Sequence, residues 1–85
     1  MIKVEWTERA LSDLEKLDKL VAGRIIRKVS WLAANFDKVT PEPLAGDLKG
    51  MFKLRIGDWR VIYTAKDDIA VIYFAGHRRD IYEIK

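Results

Sequence analysis

Residues 51–75 read MFKLRIGDWRVIYTAKDDIAVIYFA, and the period of that stretch decides the fold class. Phe52, Leu54 and Ile56 alternate with Lys53 and Arg55, the period-2 pattern of a strand with one buried face. A Gly57–Asp58 turn leads into residues 59–64, and a turn at residues 66–68 leads into residues 69–75. Two tight hairpins predict a three-stranded meander. Its last strand is apolar on both faces, which predicts a central strand covered by helices.

Upstream, Ile2, Val4 and Trp6 alternate with Lys3 and Glu5 and predict a short first strand. Thr7 then has the position of an N-cap, with Glu8 in the first turn, where a carboxylate suits the helix dipole. The helix that follows places Ala10, Leu11, Leu14 and Leu17 on one stripe, with Asp13, Glu15 and Lys16 outside it. The pattern resets at Asp18 and Lys19, and a second helix carries Val21, Ile25, Val29, Leu32 and Phe36. Residues 37–50 contain Pro41, Pro43, Gly46 and Gly50 and predict a loop with Leu44 and Leu48 turned inward. The predicted class is α+β in the order β-α-α-β-β-β. Two N-terminal helices pack on a small, mainly antiparallel sheet, with a short basic tail, in a single domain of residues 1–85.

Composition narrows the chemistry. The 85 residues are 49% hydrophobic and 34% charged, as in an ordinary globular domain. A chain of this size buries only about 60–65% of its unfolded surface, so its core is thin and a covering partner protein is expected. There is no cysteine, which excludes disulfides, thiolate metal sites and a cysteine nucleophile. One histidine leaves too few ligands for a conventional metal site, and neither metal nor cofactor is expected. No apolar run approaches the roughly 18 residues of a membrane helix, so a cytoplasmic protein with no membrane partner is expected. Basic and acidic residues cancel over residues 1–48, and the whole net charge of +3 lies in residues 49–85. A basic surface built there points to an anionic partner such as nucleic acid, or serves solubility alone.

Lys49, Lys53, Arg55 and Arg60 put four cations near one sheet face, either a phosphate-binding surface or a solvated one. Arg60, between Trp59 and Val61 in an apolar strand, needs a partner carboxylate or an anionic ligand. His77, Arg78, Arg79, Asp80 and Tyr82 follow the most apolar strand, an arrangement of either a held site or a cap in which Arg78 and Arg79 pair with Asp80 and Glu83. The spacing of Trp6, Trp31, Trp59, Tyr63 and Tyr73 puts most of them on core faces as packing residues. No Gly-rich phosphate loop, serine–histidine pair or carboxylate pair is present.

The run from Leu48 to Tyr63, with its R-x-G-D-aromatic-R-x-x-Y pattern, together with GHRR-x-x-Y over residues 76–82, resembles the RelE/ParE superfamily of bacterial toxins, most closely its RelE branch. That resemblance implies a RelE-like fold and a ribosome-dependent endoribonuclease that cuts mRNA in the A site without metal. It also implies a cognate RelB-like antitoxin, with operator DNA met only through that antitoxin. By the same resemblance Arg60, Arg78 and Tyr82 are the catalytic residues, and Lys53 and Arg55 contact RNA with Lys49 and Arg79 beside them. The two arginines suit an electrostatic clamp on phosphate. Tyr82 suits orienting or deprotonating the 2′-hydroxyl, or stacking on a base, and His77 is a further acid–base candidate. The alternative within the superfamily is a ParE-like DNA gyrase inhibitor that cleaves no RNA. A plain RNA-binding module of the double-stranded RNA type needs a basic helix after the meander, and the chain leaves too little for one.

Overall fold

Thr7 ends the first strand and opens the first helix. Its hydroxyl oxygen accepts the Ala10 amide at 3.1 Å, satisfying a donor that the helix itself leaves free. The computed structural model describes residues 1–81. Their order is β1 (Lys3–Trp6), α1 (Glu8–Glu15), α2 (Lys19–Ala34), β2 (Glu42–Pro43), β3 (Phe52–Ile56), β4 (Trp59–Lys66) and β5 (Ile69–His77). Single 3-10 turns lie at Phe36–Lys38 and Gly46–Leu48. Asp18 caps α2 by accepting the Leu20 amide at 3.0 Å, which accounts for the reset between the helices. Among the described residues no helix is long and apolar enough to cross a membrane.

The strands form one sheet in the order β1-β5-β4-β3-β2, with β1 parallel to β5 and every other pair antiparallel. The hairpin turns match the sequence reading. Gly57 takes φ +60 between β3 and β4, and Asp67 and Asp68 both take positive φ between β4 and β5, as a two-residue hairpin loop requires. The helices cover one face of this sheet. Ala10 of α1 and Ile25, Val29 and Leu32 of α2 pack on Leu54, Ile56, Val61, Tyr63, Ala70, Ile72 and Ala75. Each fully buried valine, leucine or isoleucine among them contributes roughly 1.5–3 kcal/mol.

Four expectations change. The helices cover β5 on one face only; on the other, Ile62, Phe74 and Ile81 form a small second cluster roofed by Leu44 and Met51 from the loop. The inner stripe of α1 is Ala10, Asp13 and Leu14, continued past its end by Leu17, while Leu11 is 47% exposed. Asp13 takes the inner place because β1 ends at Trp6 and leaves the second half of β5 without a neighbour on that side. There the Asp13 carboxylate accepts the Ala75 amide at 3.1 Å and also binds Arg9. Trp31 and Tyr73, read as packing residues, are exposed, whereas Trp6 and Trp59 pack on the core and Tyr63 is buried. Finally, the Pro-rich loop contains β2, which pairs Glu42 with Lys53 and Pro43 with Phe52. An edge position tolerates proline because an outward nitrogen has no ladder bond to lose.

Candidate nucleic-acid interface

Antiparallel pairing fixes which side chains share the face away from the helices. Lys53, Ile62 and Phe74 make one row across β3, β4 and β5; Arg55, Arg60 and Gly76 make the next. Arg55 and Arg60 are therefore direct cross-strand neighbours, a like-charge pairing that is unfavourable unless each is held by something else. Both are. Arg55 donates to both carboxylate oxygens of Glu42, at 3.2 and 2.9 Å. Arg60 donates from Nη1 to the carbonyl oxygens of Gly57 and Trp59, at 2.7 and 2.8 Å. Among the described residues Arg60 is thus held by backbone carbonyls and by no carboxylate. Its remaining edge, Nε and Nη2, has no hydrogen-bond partner among the described residues.

Gly76 completes the row. The Phe74 ring lies over it so closely that a Cβ at residue 76 would come within 2.6 Å of the ring, so any other residue there must displace the ring. Just beyond β5 the Arg78 amide donates to the Asp58 carbonyl at 2.8 Å, and its guanidinium faces the Asp58 carboxylate at 3.6 Å. The bend carries Arg78 back toward Arg60 and drops Ile81 into the second cluster, 2% exposed. The result is a groove of about 250 Å³ lined by Lys53, Arg55, Arg60, Arg78 and Ile81. Four cations around Ile81, three of them planar arginine forks, form a surface suited to phosphate oxygens.

Other residues singled out from the sequence lie elsewhere. Lys49 and Arg79 are exposed and do not line the groove. The His77 ring stands edge-on to Trp59, 5.3 Å between centroids, and lines a different groove with Arg9 and Asp13 of α1 and Lys16 just after it. Tyr82 and Glu83 lie outside the described residues, and among the described residues Arg78 faces Asp58. Glu42 was not anticipated at all. Its signal was the flanking by Pro41 and Pro43, which favours extended backbone and so a strand edge. Of the described phenols, Tyr63 is held above its ordinary pKa by burial under the helices.

A two-helix, five-strand sheet with this basic groove on its open face matches a known class of proteins. Residues 4–82 match the family described as ParE toxin of type II toxin-antitoxin system, parDE. The chain belongs to the RelE/ParE toxin superfamily. Within it the chain is similar to RelE toxins. It is 33% identical over 64 residues to Toxin RelE of Mycobacterium tuberculosis, covering 75% of this chain and 66%, just under two thirds, of that relative. It also superposes on a chain of the M. tuberculosis toxin-antitoxin complex RelBE2 with a TM-score of 0.80 and 29% identity, covering 91% of this chain and 98% of that one. The isolated E. coli RelE toxin shares the fold, with a TM-score of 0.73 at 18% identity over 91% of this chain and 84% of that one.

Proposed function

We propose that the protein is the toxin of a type II toxin–antitoxin pair and acts as a metal-independent endoribonuclease on mRNA in the ribosomal A site, silenced by a cognate RelB-like antitoxin. The observation that carries this reading is the convergence of Arg60, Arg78 and Lys53 in one groove, with the Arg60 fork fixed by two carbonyls. In the proposed step the RNA 2′-oxygen attacks the adjacent phosphorus and the bond from phosphorus to the 5′-oxygen breaks. A 2′,3′-cyclic phosphate remains on one fragment and the 5′-oxygen of the other takes a proton. Charge gathers on the non-bridging oxygens, and donors that are already oriented stabilise it without reorganising. Arg60 fits that task, since its fork is held before substrate arrives, and Arg78 supplies a second fork. Tyr82 is the proposed group that orients or deprotonates the 2′-hydroxyl, and Lys49 and Arg79 are proposed to meet phosphates beyond the groove. The likeness to antitoxin-bound relatives and the exposed Leu11, Leu20, Ile26 and Trp31 support a covering partner.

Primer extension on mRNA incubated with the protein, with and without programmed ribosomes, tests this reading beside a gyrase supercoiling assay. Arg60→Ala and Arg78→Ala should each lose about a hundredfold or more in cleavage rate, the scale of one preorganised donor. Unchanged cleavage by both variants rejects the clamp. Equal cutting of free RNA rejects ribosome dependence, and gyrase inhibition without any cutting replaces the nuclease by a ParE-like activity.

A further inference from the structure

The lone histidine sits one residue before Arg78, yet its ring does not enter the basic groove. It does something else there. Its Nδ1 accepts the Arg79 amide at 3.2 Å, the bond from side chain to the amide two residues on that asparagine and aspartate make in turns. Its own carbonyl accepts the Asp80 amide at 2.9 Å, and the Arg78 amide goes to Asp58 at 2.8 Å. Three successive amides after β5 are thus anchored, two of them on His77. The edge-on contact with Trp59, whose residue pairs with His77 across β4 and β5, holds the imidazole plane in place.

We infer that His77 is a positioning residue: its Nδ1, as acceptor of the Arg79 amide, fixes the turn that sets Arg78 and Ile81 in the basic groove, and the imidazole carries no proton to or from RNA. An accepting Nδ1 requires the neutral ring to hold its hydrogen on Nε2. The groove needs this device because Arg78 projects from the chain beyond the last strand pair, Trp59 with His77, where the sheet ladder no longer dictates direction. The consequence for cleavage rests on the nuclease reading above; the consequence for the turn does not.

Two substitutions separate the roles. His77→Asn keeps an acceptor for the Arg79 amide and removes the imidazole, whereas His77→Phe keeps a ring against Trp59 and removes the acceptor. Imidazole 15N shifts of the wild-type protein should show Nδ1 without hydrogen. Hydrogen exchange at the Arg79 amide should stay slow in His77→Asn and become fast in His77→Phe. Ribosome-dependent cleavage should stay within about twofold of wild type in His77→Asn and fall about fivefold in His77→Phe, the factor one ordinary hydrogen bond is worth. Loss of cleavage in His77→Asn as deep as in His77→Phe, or a wild-type ring with its hydrogen on Nδ1, overturns the inference. So does a His77→Phe variant unchanged in exchange and cleavage. Should the wild-type protein cut no mRNA, the nuclease reading fails, while the tautomer and the Arg79 exchange still decide the role of His77 in the turn.

Discussion

Replacing Glu42 by Gln removes the negative charge that occupies the Arg55 fork. The pair is exposed, with 60% of the Arg55 side chain and 43% of the Glu42 side chain open to solvent, so its loss should cost the fold no more than about 0.2–1 kcal/mol. RNA binding should change more. Among the described residues Lys53 and Arg60 face the groove without a carboxylate partner, whereas Arg55 is already neutralised by Glu42. Each further phosphate met by a free cation on single-stranded nucleic acid steepens the dependence of log affinity on log salt by about 0.7. Glu42→Gln should therefore steepen that slope by about 0.7. The same term implies a gain of about fivefold in affinity near 0.1 M salt, fading toward 1 M. Fluorescence anisotropy of a labelled single-stranded RNA over a salt series measures both, with Glu42→Gln in an Arg55→Gln background as the control in which the gain should vanish. A slope that does not move, or a gain that persists without Arg55, would show that Arg55 does not reach phosphate.

Asp13→Ala should destabilise the fold by about 1–3 kcal/mol in denaturant unfolding, because it leaves the buried Ala75 amide without its acceptor; Asp13→Asn, which keeps an oxygen there, should cost clearly less. Gly76→Ala should cost about 1–3 kcal/mol, since its Cβ meets the Phe74 ring at 2.6 Å inside the second cluster, and shortening the ring in Gly76→Ala/Phe74→Leu should recover part of the loss. Burial raises the Tyr63 pKa above its ordinary value of 10.0, so the folded state favours the protonated phenol. Its contribution to stability is complete below the unfolded-state pKa and is lost as pH rises through the folded one. Unfolding followed at increasing alkaline pH should show that decline, and Tyr63→Phe should remove the part owed to this residue.

Much of the fold was legible because its signals are local. Period-2 alternation over β1 and β3, two turn sequences and the caps Thr7 and Asp18 each act within a few residues. What escaped depends on where distant elements end. Asp13 reads as a solvent residue on a helical wheel, and only the early end of β1 makes its carboxylate the cap of β5. Trp31 reads as core by spacing, but is exposed on α2, lining a groove with Lys28 and with Pro41 and Pro43 around β2. The groove was half legible. Lys53 and Arg55 share a face by alternation alone, and Arg60 joins them by the tight Gly57–Asp58 turn. That Glu42 would take the Arg55 fork, and that His77 would turn from Arg78, depended on side-chain contacts that no spacing encodes.

The parallel pairing of β1 with β5 bears on how the molecule comes into being. Lys3 lies opposite Ile69, so the first strand waits for the last before it has any partner in the sheet. Contacts this far apart in sequence close late and slowly, because the loop entropy must be spent before the pairing returns anything. The groove residues Arg78 and Ile81 hang from the same strand, and Asp13 at its far edge is brought in by the same closure. Assembly of the basic groove and completion of the sheet are then one cooperative event. A chain still short of β5 carries Lys53, Arg55 and Arg60 but holds no closed groove.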